Sequence, residues 1–390
     1  MVENWKNLKG IITGQNDLAS IGFANIIGSG LGAIFWFYLA SQIKPSEYGE
    51  IHWLLGMAAI FSQVALFGTL NTLTVYTAKN VKIQSTFYFI SLLGSFVLSL
   101  VIIIIIPGFY KIDSGLLLIG YVINTLALGD LLGRKLYSSY SRYVLTQKGL
   151  SLILGLSFFY LFGYESILFA LALSYSFYLK RIIQCFKEFR IDLTLIKPRI
   201  GFITNNYVIM IVQVVNGQVD KIIITYLVGF SVLGNYSLGI QFITVMMMFS
   251  TIIFRYLLPQ DSSGTSNKQL KLLVILVSIG ISIIGIIFIP SLASIFFPEF
   301  LELEAAIPIL SLYLIPATLS LLFESKFLGA EKSKIVLLGT VISVASYSIG
   351  MLTLGPIYGI IGFSASLIIS ISLKTIFFGI IFKFYPTNTK

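Results

Sequence analysis

Long unbroken apolar runs constrain this chain more than any other feature. Val101 to Ile106 reads VIIIII, and Ile279 to Ile289 reads IGISIIGIIFI. Such runs sit within stretches of about 20 mostly apolar residues, the length a helix needs to cross a hydrocarbon layer. Inside that layer every backbone N–H and C=O must be satisfied within the protein, which leaves helices and closed barrels. Barrel strands alternate over about ten residues. These runs are continuous, so they predict helices. Composition agrees: 11% of the residues are charged, against roughly 25% in soluble domains. Spans are expected near 18–40, 51–78, 86–106, 115–133, 143–163, 166–185, 201–228, 232–258, 270–290, 306–323, 335–354 and 357–382. The fold class is therefore an all-α integral membrane protein of about twelve transmembrane helices.

Charge sets the expected topology. With the N-terminus placed in the cytoplasm, 23 of the 26 Lys and Arg residues fall on the inner side. Lys44 and Lys111 fall outside, and Lys221 lies within a span. Sorting of this kind is the positive-inside pattern, and a miscounted helix would invert every later loop. Both termini are expected in the cytoplasm, in a multi-pass protein of the cytoplasmic membrane. The net charge of +10 is then a topological signal and a contact with anionic headgroups, not a nucleic-acid footprint. Met1 to Ser20 lacks a short apolar core with a cleavage site, so no signal peptide is expected. Trp5, Leu8, Ile11 and Ile12 favour one side of a helix, with Lys6 and Lys9 off it. That predicts an amphipathic cytoplasmic segment over residues 1–17.

The longest cytoplasmic connection, residues 186–200, divides the spans six and six. An N-lobe of 18–185 and a C-lobe of 201–382 are expected, followed by a cytoplasmic tail of 383–390. The halves resemble each other weakly: Tyr38-Leu39-Ala40 precedes Tyr48-Gly49, and Tyr226-Leu227-Val228 precedes Tyr236-Ser237, offset by 188 positions. Six is even, so the halves would be parallel repeats around a central cavity.

Ionisable groups inside a membrane are costly and are functional candidates by default. Asp220 and Lys221 are the clearest case. Asn206, Gln213, Asn216 and Asp220 recur at helical spacing and make one polar stripe of the seventh span; Gln218, Lys221 and Thr225 make a neighbouring one. Such a helix looks into a bundle or a wet cavity, although a structural Asp–Lys pair would satisfy the same pattern. Asn25, Gln63, Asn71, Asn124 and Gln241 could line a cavity or bond between helices. Arg255 could face an inward opening and meet a phosphate. Asp130, Arg134 and Lys135 read as an interfacial cluster. Gly28, Gly30 and Gly32 form GSGLG in a membrane helix with no preceding strand, so they read as close packing rather than a nucleotide loop. Pro308, Pro316 and Pro356 predict kinks. One cysteine, Cys185, forbids an intrachain disulfide; one histidine, His52, rules out a histidine metal cluster. No Walker motif and no Ser/His/Asp arrangement is present, so the chain does not read as an enzyme.

The stretch Gln218-Val219-Asp220-Lys221-Ile222-Ile223-Ile224-Thr225-Tyr226-Leu227-Val228-Gly229, followed by Leu233-Gly234-Asn235-Tyr236-Ser237-Leu238, resembles the start of the second half of Wzx-like polysaccharide flippases. Phe35-Trp36-Phe37-Tyr38-Leu39-Ala40 and Pro45-Ser46-Glu47-Tyr48-Gly49 resemble the start of the first half. The wider superfamily holds multidrug exporters and peptidoglycan-precursor flippases. The resemblance implies two lobes alternating between inward- and outward-open states. It implies a lipid-linked oligosaccharide as cargo, on a polyprenyl phosphate carrier, in a protein that works as a monomer among membrane lipids. It also implies a cation, Na⁺ or H⁺, bound at Asp220. The first span carries no arginine, unlike the peptidoglycan-precursor flippases, so Lys221 and Arg255 stand in as phosphate-binding candidates. Competing readings are a cation-drug antiporter of the same superfamily and a membrane glycosyltransferase or polysaccharide polymerase. The latter would need a substantial outer loop, and only scattered acids such as Glu299, Glu302 and Glu304 are present.

Overall fold

The computed structural model describes residues 22–67, 69–106, 111–188, 190–262, 268–330 and 332–384. The amphipathic segment expected over residues 1–17 lies outside them. Every regular element among the described residues is helical. Among the described residues nine helices are long and apolar enough to cross a membrane, and two bent helix pairs add two more such segments. The first six spans are Gly22–Ala40, Pro45–Leu66 with its continuation Thr69–Ala78, Gln84–Ile105, Lys111–Gly133, Tyr137–Phe162 and Tyr164–Glu188. The seventh bends by 44° between Val215 and Gly217, and the eighth by 46° between Met246 and Met248. Lys268–Ile287 is the ninth and Leu303–Gly329 the tenth.

The last helix, Ser333–Phe384, has 52 residues, or about 78 Å at 1.5 Å per residue. That is more than twice a ~30 Å hydrocarbon layer. It is broken at Gly359, whose φ of 58° lies in the left-handed region that a side chain disfavours, three residues after Pro356. It therefore supplies the eleventh and twelfth passes. Pro316 acts similarly in the tenth span. It has no N–H for the carbonyl of Leu312, and the helix breaks there, at Tyr313. Pro308 is accommodated inside Leu303–Leu312.

The chain forms two compact units. Unit 1 holds the residues up to Phe35 together with Leu54–Gln218, and unit 2 holds Trp36–Trp53 with Val219–Lys390. The division does not follow the 186–200 linker. The end of the first span and the start of the second belong to unit 2, and the first part of the seventh belongs to unit 1. Packing explains both exchanges. Phe67 stacks on Tyr207 at 4.9 Å, and Tyr76 meets Phe202 edge-on at 5.6 Å, tying the seventh span to the second in unit 1. In unit 2 the start of the second span crosses the start of the eighth at two glycines. A Cβ on Gly49 would strike the carbonyl of Phe230, and one on Gly234 the carbonyl of Pro45.

Within unit 1 the fourth span is central: Leu117, Leu118, Val122, Leu126 and Ala127 are fully buried. The third span turns buried Ser91, Ser95 and Ser99 inward at every fourth position, the small-residue packing that lets membrane helices approach. The first and fifth spans run parallel in a fixed register. Gly28 receives the stem of Lys148, and seven residues further along each helix Gly155 receives the ring of Phe35. Unit 2 is built around Ile224, Leu233, Tyr236, Met246, Leu310, Tyr347 and Phe363. Ser278 and Ser282 of the ninth span are buried, and Ser282 donates to the carbonyl of Ser311 at 2.8 Å.

The repeat is visible in ion pairs as well. Asp130 on the fourth span is bound by Arg181 on the sixth at 2.7 Å. Glu324 on the tenth span is bound by Lys374 on the twelfth at 2.6 Å. Each unit thus ties the same two members of its helix series with a carboxylate–cation pair. Asp130 is not the interfacial group its sequence position suggested. It is fully buried and also accepts from Arg134 Nε at 2.9 Å, while Arg134 reaches Glu188 at 2.7 Å.

Candidate functional site

The seventh span places Asp220 in unit 2, with 8% of its surface exposed. The backbone N–H of Lys221 donates to Asp220 Oδ1 at 2.8 Å, and the Lys221 ammonium lies 3.5 Å from the same oxygen. The two side chains therefore lie close together, although adjacent helical positions point about 100° apart. Beside them Tyr236 and Tyr347, both buried, share a 2.6 Å hydrogen bond and lie within electrostatic reach of Asp220. His52 packs at a tilt against Trp36 at 4.7 Å and Tyr48 at 4.5 Å. Its Nε2 and the Tyr48 hydroxyl find no hydrogen-bond partner among the described residues. His52 also lies within electrostatic reach of Lys221. Sequence reading missed this aromatic cage, because Trp36, Tyr48 and His52 are separated by a turn and only the fold joins them.

The other expected residues divide between the units. Asn25 and Gln63 are half-buried in unit 1, and Gln63 Oε1 has no partner among the described residues. Gln213 and Asn71, also in unit 1, are exposed. Gln241 is half-buried in unit 2. The side chains of Asn216 and Arg255 lie outside those described, although their backbones are helical. Asn216 occupies the 44° bend of the seventh span.

A cation at Asp220 was expected. The described residues put one carboxylate there, its Oδ1 engaged by a backbone N–H with an ammonium beside it. Among the described residues no group of three or more His, Cys, Asp or Glu comes together.

Lys148 changes place most between sequence and structure. Its charge was assigned to the cytoplasmic side, but it lies eleven residues into Tyr137–Phe162, about 16 Å along the helix. Arg142 precedes it by six positions on that helix and is exposed.

No family model and no curated protein matches this sequence. Solved structures do. The lipid II flippase MurJ in an inward closed conformation gives a TM-score of 0.73 at 14% identity, covering 93% of this chain and 87% of that one. A MATE multidrug resistance transporter of the MOP superfamily, inward-facing, gives 0.70 at 13% identity, covering 93% and 96%. A MOP superfamily transporter from Pyrococcus furiosus, described by the reverse polarity of its binding pocket, gives 0.62 at 14% identity, covering 94% and 95%. The chain is a multi-pass helical membrane protein with the transporter fold that these three proteins share.

Proposed function

We propose that this protein is a flippase that moves lipid-linked oligosaccharide across a membrane by alternating access. One observation carries the reading: the chemistry of the polar groups that unit 1 leaves accessible along its spans. Among the described residues they include Asn25, Ser29, Gln63, Asn71, Asn124, Asn205, Asn206 and Gln213, with the cation Lys148 at mid-helix. Amides exposed to hydrocarbon would be left without partners at a cost of several kcal/mol each, so they face water or cargo. Asp113, Glu165 and Glu188 lie within the first or last few residues of their spans, and buried Asp130 is paired with two arginines. A site for cationic drugs would need an accessible acid, and unit 1 presents none at mid-membrane among its described residues. Amides match the hydroxyls of a glycan, which both donate and accept hydrogen bonds.

The lipid II flippase MurJ, which shares the fold, supports the same choice. In this reading the glycan headgroup passes along the polar faces while the polyprenyl tail stays in the bilayer. Asp220, the buried carboxylate beside Lys221, is the group assigned to the coupling cation, H⁺ or Na⁺.

The test is translocation of a fluorescent polyprenyl-linked oligosaccharide by the purified protein in liposomes, beside uptake of cationic dyes. Movement of the glycan lipid without dye transport is the expected result. Dye transport without glycan movement would transfer the protein to the multidrug class.

A further inference from the structure

Lys148 is a cation in the wrong place for a topological signal. It lies eleven residues from Tyr137 and fourteen from Phe162, about 16 and 21 Å along the helix. Either distance is long for a lysine stem to reach the nearer water. The stem is also held against the first span. Its Cγ lies 3.1 Å from where a Cβ on Gly28 would sit, so it runs along the first span in a slot that only glycine leaves open. The same parallel register that seats Phe35 on Gly155 fixes this contact.

Charge balance makes the position informative. No carboxylate or other acceptor binds the Lys148 ammonium among the described residues, and the side chain remains partly accessible. The other cations on the spans of this unit that face inward are satisfied: Arg181 is bound to Asp130. The surroundings offer room and hydrogen bonding. Asn25 and Ser29 flank Gly28 on the first span, and a Cβ on Gly149 or Gly32 would meet nothing within 4 Å. A half-buried lysine with no anion among the described residues, its stem on the helix that carries Asn25 and Ser29, is a site for an anion with several acceptor oxygens.

We infer that Lys148 holds the phosphate of the lipid-linked cargo at the seam of the first and fifth spans, with the Gly28 slot keeping its stem in place and Asn25 presenting a hydrogen bond beside it. This rests on the flippase reading and adds to it the anion-binding group, which the candidates Lys221 and Arg255 do not supply within unit 1. Lys221 already has Asp220 beside it.

The experiment measures binding to the purified full-length protein by displacement of a fluorescent polyprenyl diphosphate. Competitors are polyprenyl alcohol, phosphatidylglycerol and inorganic phosphate. Wild type is compared with Lys148→Gln, Lys148→Arg and Gly28→Val. The Gln variant should weaken diphosphate binding about tenfold or more, the loss expected for a charge-assisted hydrogen bond, and leave the alcohol unchanged. Arg should restore most of the binding. Gly28→Val keeps the charge but displaces the stem, and should weaken the diphosphate as Gln does. Competition by inorganic phosphate at high concentration would identify the phosphate as the group recognised. Equal binding of the diphosphate by wild type and Lys148→Gln would overturn the assignment, as would an equal loss for diphosphate and alcohol. Phosphatidylglycerol competing as well as the diphosphate would also overturn it, making Lys148 a contact for bulk lipid. A wild type that binds no polyprenyl phosphate at all would sink the flippase reading itself.

Discussion

Replacing Asp130 with asparagine should destabilise unit 1 more than any other single isosteric change on its spans. The carboxylate has no exposed surface. Its Oδ2 accepts from Arg181 Nε at 2.8 Å and lies 2.7 Å from Nη2 in an ion pair, and its Oδ1 accepts from Arg134 Nε at 2.9 Å. Asparagine keeps the volume but removes the charge that both guanidiniums share, and one amide end becomes a donor facing a donor. Breaking a buried ion pair from one side costs about 3–5 kcal/mol, since the remaining charge stays buried. With about 2–4 °C per kcal/mol for a unit of this size, the unfolding midpoint should fall by at least about 6 °C. Glu324→Gln removes the repeat-related carboxylate, whose side chain is 16% exposed and has one cationic partner. It should cost about half as much or less.

The chain supplies its own reporters. Cys185, the sole cysteine, is buried in unit 1 beside Ser85, whose hydroxyl donates to its carbonyl at 3.0 Å. Labelling by a thiol-reactive dye on heating therefore reads unit 1. With Trp5 replaced by Phe, Trp36 and Trp53, which lie in unit 2, read that unit by fluorescence. An unchanged labelling midpoint in Asp130→Asn, or a larger loss in Glu324→Gln, would refute the reasoning that burial and partner number set the cost.

Three further outcomes follow from the geometry. Asp220→Asn should leave binding of the glycan lipid intact and abolish the response of transport to pH and Na⁺ gradients; a full gradient response by the variant in liposomes would contradict a coupling role for Asp220. Tyr236→Phe should cost about 1 kcal/mol by stranding the Tyr347 hydroxyl, and the double change Tyr236→Phe with Tyr347→Phe should cost less than the sum of the two single changes. The check is thermal unfolding read by tryptophan. Gly234→Val should abolish transport while the protein still inserts, because the new side chain meets the Pro45 backbone, with its Cα 3.1 Å from the first added carbon; undiminished flux in the liposome assay would show that the crossing can open at no cost.

The passes were legible because hydrocarbon thickness and backbone satisfaction leave a chain so few options. Runs such as Ile279 to Ile289 could be nothing but helix. The kink at Pro356 was legible for a similar reason, but its sharpest point at Gly359 needed the backbone angle. The chemistry was less readable. Asp130 looked interfacial because a sequence shows distance from the end of a run and not which helices cover it. Lys148 was counted with the cytoplasmic charges although it lay near the start of the expected span 143–163; that span begins at Tyr137, six residues earlier, which sets Lys148 deeper, and Ser138, Ser139, Ser141 and Arg142 diluted the apolar signal of its first turns. The interleaving of the units at the first, second and seventh spans had no sequence signal. It depends on contacts between residues such as Phe67 and Tyr207, which are far apart along the chain.

The crossing of Gly49 with Gly234 has a bearing on how such a chain can vary. Each glycine is met by main-chain atoms, those of Phe230 and Pro45, so the joint reads the shape of two backbones and no particular side chain. Any sequence that keeps two hydrogens at those places can form it, whatever surrounds them. A joint of this kind places almost no demand on its neighbours, which leaves the lining residues free to be rewritten for a different cargo while the hairpin of residues 36–53 keeps its seat.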